Sequence, residues 1–376
     1  TGLTRSLAGE HRQVVEAINA LPAPVLAVDT PSGLNSSTGE VMGAAVRADV
    51  TVTFVGLKRG FFLGSGPDHT GRLVFDDLSI PPGELDAVPV QMQVFDESCA
   101  AEFLPRRSRS AHKSTHGHVL IIGGNAGMGG AVRLAGEAAL RSGAGLVSVA
   151  TRPDNVAAIT AGRPELMCHA LADAAQLEPL LERAGVVAIG PGLGTDDWAQ
   201  LLWKRVLQLD VPLVVDADAL NLLAHDPHKH SNWVLTPHPG EAARLLGINT
   251  AEVQADRPAA LQALRDRFGG AVILKGHGSL VSTGAIPWLI RAGNPGMGTA
   301  GMGDVLTGIV AGLLGQADSS SLERDPLSSV AATAAWAHAH TADQAATTGE
   351  RGLIASDVLN GLRATLNPVR RHSEQC

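Results

Sequence analysis

Residues 293–304 read GNPGMGTAGMGD, in which glycines at 293, 296, 298, 301 and 303 lead up to a single carboxylate, Asp304. The chain then turns apolar, and Val305, Leu306, Ile309, Val310, Leu313 and Leu314 recur at helical spacing. The first turn of a helix carries unbonded backbone N–H groups and the positive end of the dipole. Glycines let a phosphate come close to those groups. A carboxylate at that place repels anions, so it does not read as the phosphate ligand. It reads as a base, aimed at a hydroxyl that attacks a phosphorus held by the loop. Gly296, Gly298 and Gly301 satisfy G-x-G-x-x-G, but helix rather than a βαβ unit follows, which argues against a dinucleotide fingerprint. A bare helix cap is the other alternative. So many glycines for one cap would cost backbone entropy without return.

Other polar residues stand where strands are expected to end. GGNAGMGGA follows HVLII and closes at Ala131, and it lacks both the G-x-G-x-x-G spacing and the Lys-Ser/Thr of a P-loop. GPGLG spans 190–194, Asp216, Asp218 and Asn221 follow PLVV, and His238 and Glu241 lie in TPHPGE. Lys275 and Ser279 flank a Lys-Gly-His-Gly turn. Asp216 or Asp218 is a candidate magnesium ligand, and Asp218 and Asn221 are equally candidate helix caps. His238 is either a ligand contact or a turn residue, and Lys275 either a ligand or an ordinary strand-end lysine. His225, His228 and His230 fall in a polar loop without zinc spacing and read as solvated. His338 and His340 are two apart on a helix, so they face different sides.

The elements that must position these groups alternate. From His118 on, buried-type strands (HVLII, LVSVAT, VVAIG, PLVV, NWVL) are separated by helical segments, and AVILKGHGSLVST reads as a hairpin. That pattern is α/β, a mostly parallel sheet covered on both faces, with its ligand loops at the carboxyl edge. Residues 1–21 give a glycine turn and a helix with Val14, Val15, Ile18 and Leu21 on one face. Strands are expected near 25–28, 50–55 and 73–75, with Asp29 at the end of the first and Ser32 in its turn. For Asp29, turn chemistry and a ligand role both stay open. Residues 80–115 are proline-rich with a basic cluster at Arg106, Arg107 and Arg109, and read as a linker. The helical carboxyl-terminal part ends in a polar tail after Pro368, expected to fray.

Composition is globular, 45% hydrophobic and 18% charged, with net charge −8. That argues against nucleic acid or an anionic membrane as the main partner, but not against a nucleotide held by backbone N–H groups. Cys99, Cys168 and Cys376 lack metal or redox spacing, which points to a reducing, cytoplasmic setting. No apolar run reaches membrane-spanning length and no signal peptide is visible. The chain begins with Thr, and the expectation is that it starts inside a longer protein.

HKSTHGHVLIIGG, GEAALRSGAGLV, GPGLG, DADALNLLA, TPHPGEAARLLG, VILKGHGS and GNPGMGTAGMGDVLTGI occur in that order. Together they resemble the ADP-dependent (S)-NAD(P)H-hydrate dehydratase domain of bifunctional NAD(P)H-hydrate repair enzymes. The resemblance implies a ribokinase-like domain over 116–376, after a linker at 96–115. It implies that Ala131, Gly192, His238 and Asp304 contact the hydrate, and that Lys275, Gly276, His277, Gly278, Ser279 and Gly303 bind ADP. Gly301, Met302 and Gly303 would form the anion hole and Asp304 the base, with Mg²⁺ as cofactor and ADP, or ATP, as donor. TGLTRSL and AVDTPSGLNSSTGEVMGAAVRADVTVTF resemble only the carboxyl-terminal part of the Rossmann-like epimerase domain, residues 1–95. There the resemblance implies hydrate binding by Asp29 and a potassium contact at Ser32, with epimerase activity absent from this chain. The family also implies a homo-oligomer. This sequence departs from the family pattern at KGHGS (for KGAGT), GMGTAGMGD (for GMATGGMGD) and DTPSG (for DIPSG). A ribokinase-like small-molecule kinase and a non-catalytic nucleotide sensor are the rival functions.

Overall fold

The computed structural model describes residues 5–85, 88–104, 107–317 and 325–367. The glycine turn at 1–4, Arg106, Cys376 and the tail from Pro368 lie outside the described residues. The chain divides into two units: Thr1–Gln93 with Ala251–Arg257, and Val94–Thr250 with Pro258–Cys376.

In the first unit the helix Gly9–Ala20 precedes three parallel strands, β1 (Leu26–Val28), β2 (Val50–Phe54) and β3 (Arg72–Asp76), ordered β1-β2-β3. Of the expected helix face only Val15 is fully buried, while Val14 and Leu21 stay exposed. On the edge strand β1, Leu26 and Val28 are 62% and 67% exposed. Three short strands offer too little surface to bury a helix face and both faces of the sheet.

The second unit holds β4 (Gln93–Phe95), β5 (His118–Ile122), β6 (Leu146–Thr151), β7 (Met167–Ala170), β8 (Val186–Ile189), β9 (Leu213–Val215), β10 (Trp233–Leu235), β11 (Ala271–Leu274), β12 (Ser279–Val281) and β13 (Trp288–Ile290). They form a ten-stranded sheet ordered β4-β13-β12-β11-β10-β9-β8-β5-β6-β7. The run from β11 to β7 is parallel; β12 and β13 turn back antiparallel. β8 to β11 are buried at every position, as strands covered on both faces must be. The chain leaves β5 towards β6 and β7, then returns to pair β8 on the other side of β5. That reversal opens a crevice at the carboxyl ends of β5 and β8, where open α/β sheets hold ligands.

The stretch read as linker is largely structured. Asp96 caps the helix Glu97–Phe103, accepting from the Ser98 and Cys99 N–H groups, and Phe95 and Ala100 are buried in the core. Arg107 is tied to the Gly143 carbonyl at 2.6 Å and to Gln316. A sequence rich in proline and charge hid these contacts because each partner is distant along the chain.

The glycine-capped helix spans Met302–Leu314 and packs on the helix Gly129–Arg141. A Cβ on Gly308 would meet the Ala135 carbonyl at 2.0 Å, and one on Gly312 the Ala139 carbonyl at 2.7 Å. Small residues thus bring the two backbones into contact and fix the start of Met302–Leu314 in the middle of the unit. Among the described residues no helix is long and apolar enough to cross a membrane.

Candidate active site

The Met302–Leu314 helix starts from Gly301, which sits at φ +90, a conformation that excludes side chains. No side chain caps this helix, so Asp304, in the first turn, is not its cap. Val305 is the first residue whose N–H is bonded back to Gly301, at 3.0 Å. The N–H groups of Met302, Gly303 and Asp304 therefore have no intrahelical acceptor. Asp304 is pushed up to about 7, first by burial and then by the Asp216 charge; Lys275 acts the other way, and Asp218 adds a smaller upward push.

The cause of that environment lies one layer down. Asp216 follows β9 and is 1% exposed. Its Oδ1 accepts from Thr236 Oγ1 at 2.7 Å and from Lys275 Nζ at 3.0 Å, and its Oδ2 accepts from Thr307 Oγ1 at 2.8 Å. Burial works to raise its pKa, but the Lys275 cation and the hydrogen bonds from Thr236, Lys275 and Thr307 outweigh it, and the net is downward. The opposed terms on Lys275 resolve the same way: burial lowers, Asp216 and Glu241 raise, and the ammonium is retained. Glu241 Oε2 lies 3.8 Å from Lys275 Nζ. A Cβ on Gly303 would stand 3.4 Å from Lys275 Nζ and 3.6 Å from Asp216 Oδ2, so Gly303 lies over the pair.

This corrects the reading of Asp218 as a helix cap. The strand stops at Val215, and neither Asp216 nor Asp218 caps the Ala217–His225 helix with its side chain. Both oxygens of Asp216 are engaged, by Thr236 and Lys275 at Oδ1 and by Thr307 at Oδ2. Asp218 instead accepts from the Gly194 N–H at 2.8 Å and clamps the GPGLG loop. Among the described residues no group of three His, Cys, Asp or Glu could hold a metal ion.

His238 caps the helix Pro239–Leu246, its Nδ1 accepting from Gly240 N at 3.0 Å, while Glu241 Oε2 accepts from His238 N at 2.7 Å. Burial, then the Lys275 and Arg244 cations, keep it below the usual imidazole range. It is a turn residue, and its half-exposed ring remains open to a ligand. Gly192, at φ +56, faces the helix Gly129–Arg141: a Cβ there would meet Met128 at 2.7 Å and Ala131 Cβ at 3.3 Å. Ala131 and Gly192 therefore form one wall at the switch point. Ser279 Oγ donates to the Gly276 carbonyl at 3.0 Å across the turn, with Gly276 and Gly278 both at positive φ around His277.

The geometry brings together Asp304, Gly301–Gly303 and Lys275, joins His238 to them through Glu241, and links the Ala131–Gly192 wall through Asp218. Asp29 and Ser32 belong to the other unit. There Asp29, at φ +67, accepts from Lys58 Nζ at 2.7 Å, and the Ser32 carbonyl accepts from Val46 N at 2.9 Å. Sequence reading missed Thr236 and Thr307. Thr307 lies three residues beyond Asp304, the one available signal. It also missed His338 as a site neighbour: it is buried and lowered to about 4 by that burial and by Lys275, against a hydrogen bond with the Met302 backbone. His225 closes the Ala217–His225 helix rather than lying in a loop, and His230 Nδ1 accepts from Asn232 N at 3.0 Å with its ring 5.6 Å from that of Trp233.

A doubly covered parallel sheet with a glycine-capped helix start at its carboxyl edge defines a ribokinase-like protein. A ribokinase-like superfamily protein from Enterococcus faecalis superposes with TM-score 0.68 at 31% identity, covering 75% of this chain and 97% of that one. An ADP/ATP-dependent NAD(P)H-hydrate dehydratase from Bacillus subtilis, co-crystallised with ATP and Mg²⁺, gives TM-score 0.63 at 26% identity over 74% of this chain and 98% of that one. Residues 119–362 match the NAD(P)H-hydrate dehydratase family and residues 1–60 match the YjeF-related protein N-terminus. The bifunctional NAD(P)H-hydrate repair enzyme of Coxiella burnetii is 47% identical over 370 residues, 98% of this chain and 74% of the relative. That of Escherichia coli is 44% identical, covering 98% and 70%. The chain belongs to the NAD(P)H-hydrate dehydratase family, with part of the epimerase domain ahead of it.

Proposed function

We propose that this enzyme returns (6S)-NADHX and (6S)-NADPHX to NADH and NADPH, with ADP as phosphoryl donor and AMP and phosphate as products. The observation that carries the reading is Asp304, a carboxyl held near neutrality beside unbonded helix N–H groups. Ala131, Gly192, His238 and Asp304 contact the hydrate. The Lys275–Ser279 turn and Gly303 hold the nucleotide, with Lys275 kept cationic by Asp216.

The chemistry follows from those positions. Asp304 takes the proton of the C6 hydroxyl as that oxygen attacks the β-phosphorus of ADP. The bond from phosphorus to the AMP oxygen breaks, and the N–H groups of Gly301, Met302 and Gly303 face the charge on the transferring group. Each such donor is worth about 3 kcal/mol at a transition state. The ring nitrogen lone pair then expels phosphate from C6, and loss of a C5 proton closes the C5=C6 double bond. Magnesium would enter as the metal of the nucleotide, carried by its phosphates.

The proposed boundaries are residues 1–95 for the epimerase part, 96–115 for the connection and 116–376 for the dehydratase. Asp29 is committed to Lys58, and the exposed Ser32 hydroxyl does not close a potassium cage by itself, so we assign this chain no epimerisation. A cytoplasmic setting and a homo-oligomer complete the reading. The test mixes the protein with (6S)-NADHX, Mg²⁺ and ADP or ATP and follows near-ultraviolet absorbance and phosphate together. Recovery of NADH with equimolar phosphate is expected, faster with ADP. A stable phosphorylated hydrate would make it a kinase instead, and conversion of the R hydrate would overturn the epimerase statement.

A further inference from the structure

The wall at the switch point has a cation beside it. Arg152 is the residue directly after β6, at the same carboxyl edge. Its Nε donates to Asn125 Oδ1 at 3.1 Å and its Nη2 to Asp196 Oδ2 at 3.2 Å. The guanidinium lies 4.3 Å from the centroid of the Trp198 ring. Asn125 is itself part of the wall: its N–H donates to the Gly192 carbonyl at 2.6 Å and its Nδ2 to the Leu193 carbonyl at 3.1 Å. One residue, Asn125, therefore separates Arg152 from the backbone of Gly192, which lies directly against Ala131.

We propose that Arg152 binds a phosphate of the pyrophosphate bridge of the dinucleotide hydrate. The inference rests on the hydrate ring lying against Ala131 and Gly192. With the C6 hydroxyl facing Asp304, the rest of a dinucleotide leaves along the carboxyl edge and carries two negative charges with it. A local cation in a chain of net charge −8 is a favourable partner for them. Lys275 does not serve, because Asp216 and Glu241 hold its ammonium. Arg152 uses two of its five N–H donors in the contacts above, and its side chain is 28% exposed. The Trp198 stack and the Asn125 bond fix the plane of the fork before a ligand arrives, which lessens the ordering cost of a bidentate phosphate contact. Asp196 is about half exposed, so its grip on Arg152 is weak and a pyrophosphate competes for the same cation.

A stapling role for Arg152, in which it only steadies the GPGLG loop, predicts a different result from phosphate binding. Dissociation constants without phosphoryl donor are measured for NADH hydrate and for the phosphate-free nicotinamide riboside hydrate. Arg152→Ala is expected to weaken NADH hydrate by about tenfold and to leave the riboside hydrate unchanged. Arg152→Lys, which keeps the charge but not the stacked fork, recovers only part of the loss. Asn125→Ala, which removes the loop staple and one of the two contacts that orient the fork, weakens both ligands, and NADH hydrate the more. Equal weakening of both ligands by Arg152→Ala, or no change for NADH hydrate, overturns the proposal. Ala131→Leu separates the two layers of inference. If it leaves both constants unchanged, the hydrate does not lie on this wall and the site reading falls too; if it weakens both, failure of the Arg152 arm counts against Arg152 alone.

Discussion

Each unit carries an Asp–Lys pair at the carboxyl end of a parallel strand. Asp29 follows β1 and meets Lys58 at 2.7 Å; Asp216 follows β9 and meets Lys275 at 3.0 Å. The chemistry is the same and the surroundings are not. Asp29 and Lys58 keep 20% and 22% of their side chains in solvent, and Asp29 draws its other bonds, 3.3 and 3.4 Å long, from Thr53 and Phe54. Asp216 is almost fully enclosed, and two threonine hydroxyls and one ammonium fill both its oxygens. Burial on both faces of the ten-stranded sheet turns an ordinary ion pair into a fixed charge that acts on its neighbours. Asp304 is such a neighbour, and its raised pKa is the readout.

The comparison is broken most sharply at the group the buried pair acts on. Asp304→Asn is expected to lower turnover on the order of a thousandfold, the reach of a positioned base, while ADP affinity stays within about twofold. Absorbance recovery and equilibrium dialysis measure the two. In the wild type, kcat/KM should rise with pH through about 7, because the base acts only after it loses its proton. A pH profile flat between 6 and 8 would contradict both the base and its environment.

Stability separates the pairs next. Lys275→Met leaves Asp216 charged, buried and unpaired, and should cost about 3–5 kcal/mol in denaturant unfolding. Lys58→Met should cost less than about 1 kcal/mol. Equal costs would mean that burial does not distinguish the pairs.

A smaller effect comes from linkage. The folded Asp304 pKa of about 7 lies above the ordinary value of 3.8. Between those values the folded state holds a proton that the unfolded state has released, so stability falls as pH rises from about 4 to about 7. Asp304→Asn removes that penalty. Its melting temperature should match the wild type near pH 4 and exceed it by several degrees at pH 8. The smallest effect is at the exposed pair: Asp29→Asn should leave dehydration unchanged within about twofold.

Much of this was legible along the chain. Long apolar runs such as HVLII and LVSVAT, interrupted by helical segments, announced a parallel covered sheet, and β5, β6 and β8 to β12 stand there. β7, whose sequence is MCHA, and β13 and β4, three residues each, were not legible: short edge strands have too little period to read. Residues 80–115 read as a linker because proline and charge dominate locally, while the partners of Phe95 and Arg107 are Trp288, Gly143 and Gln316.

The sequence by itself determined the glycine run, the helix behind it and the single carboxylate at its start, because φ freedom, helical period and charge are properties of neighbouring residues. It also determined which loops stand at strand ends. Only the tertiary structure decided what Asp216 does. Its partners Thr236, Lys275 and Thr307 come from three later segments, and only a closed sheet with a helix pressed on it through Gly308 and Gly312 brings them to one carboxylate. The pKa of Asp304 belongs to the same level, since desolvation and the field of distant charges exist only once the chain has packed.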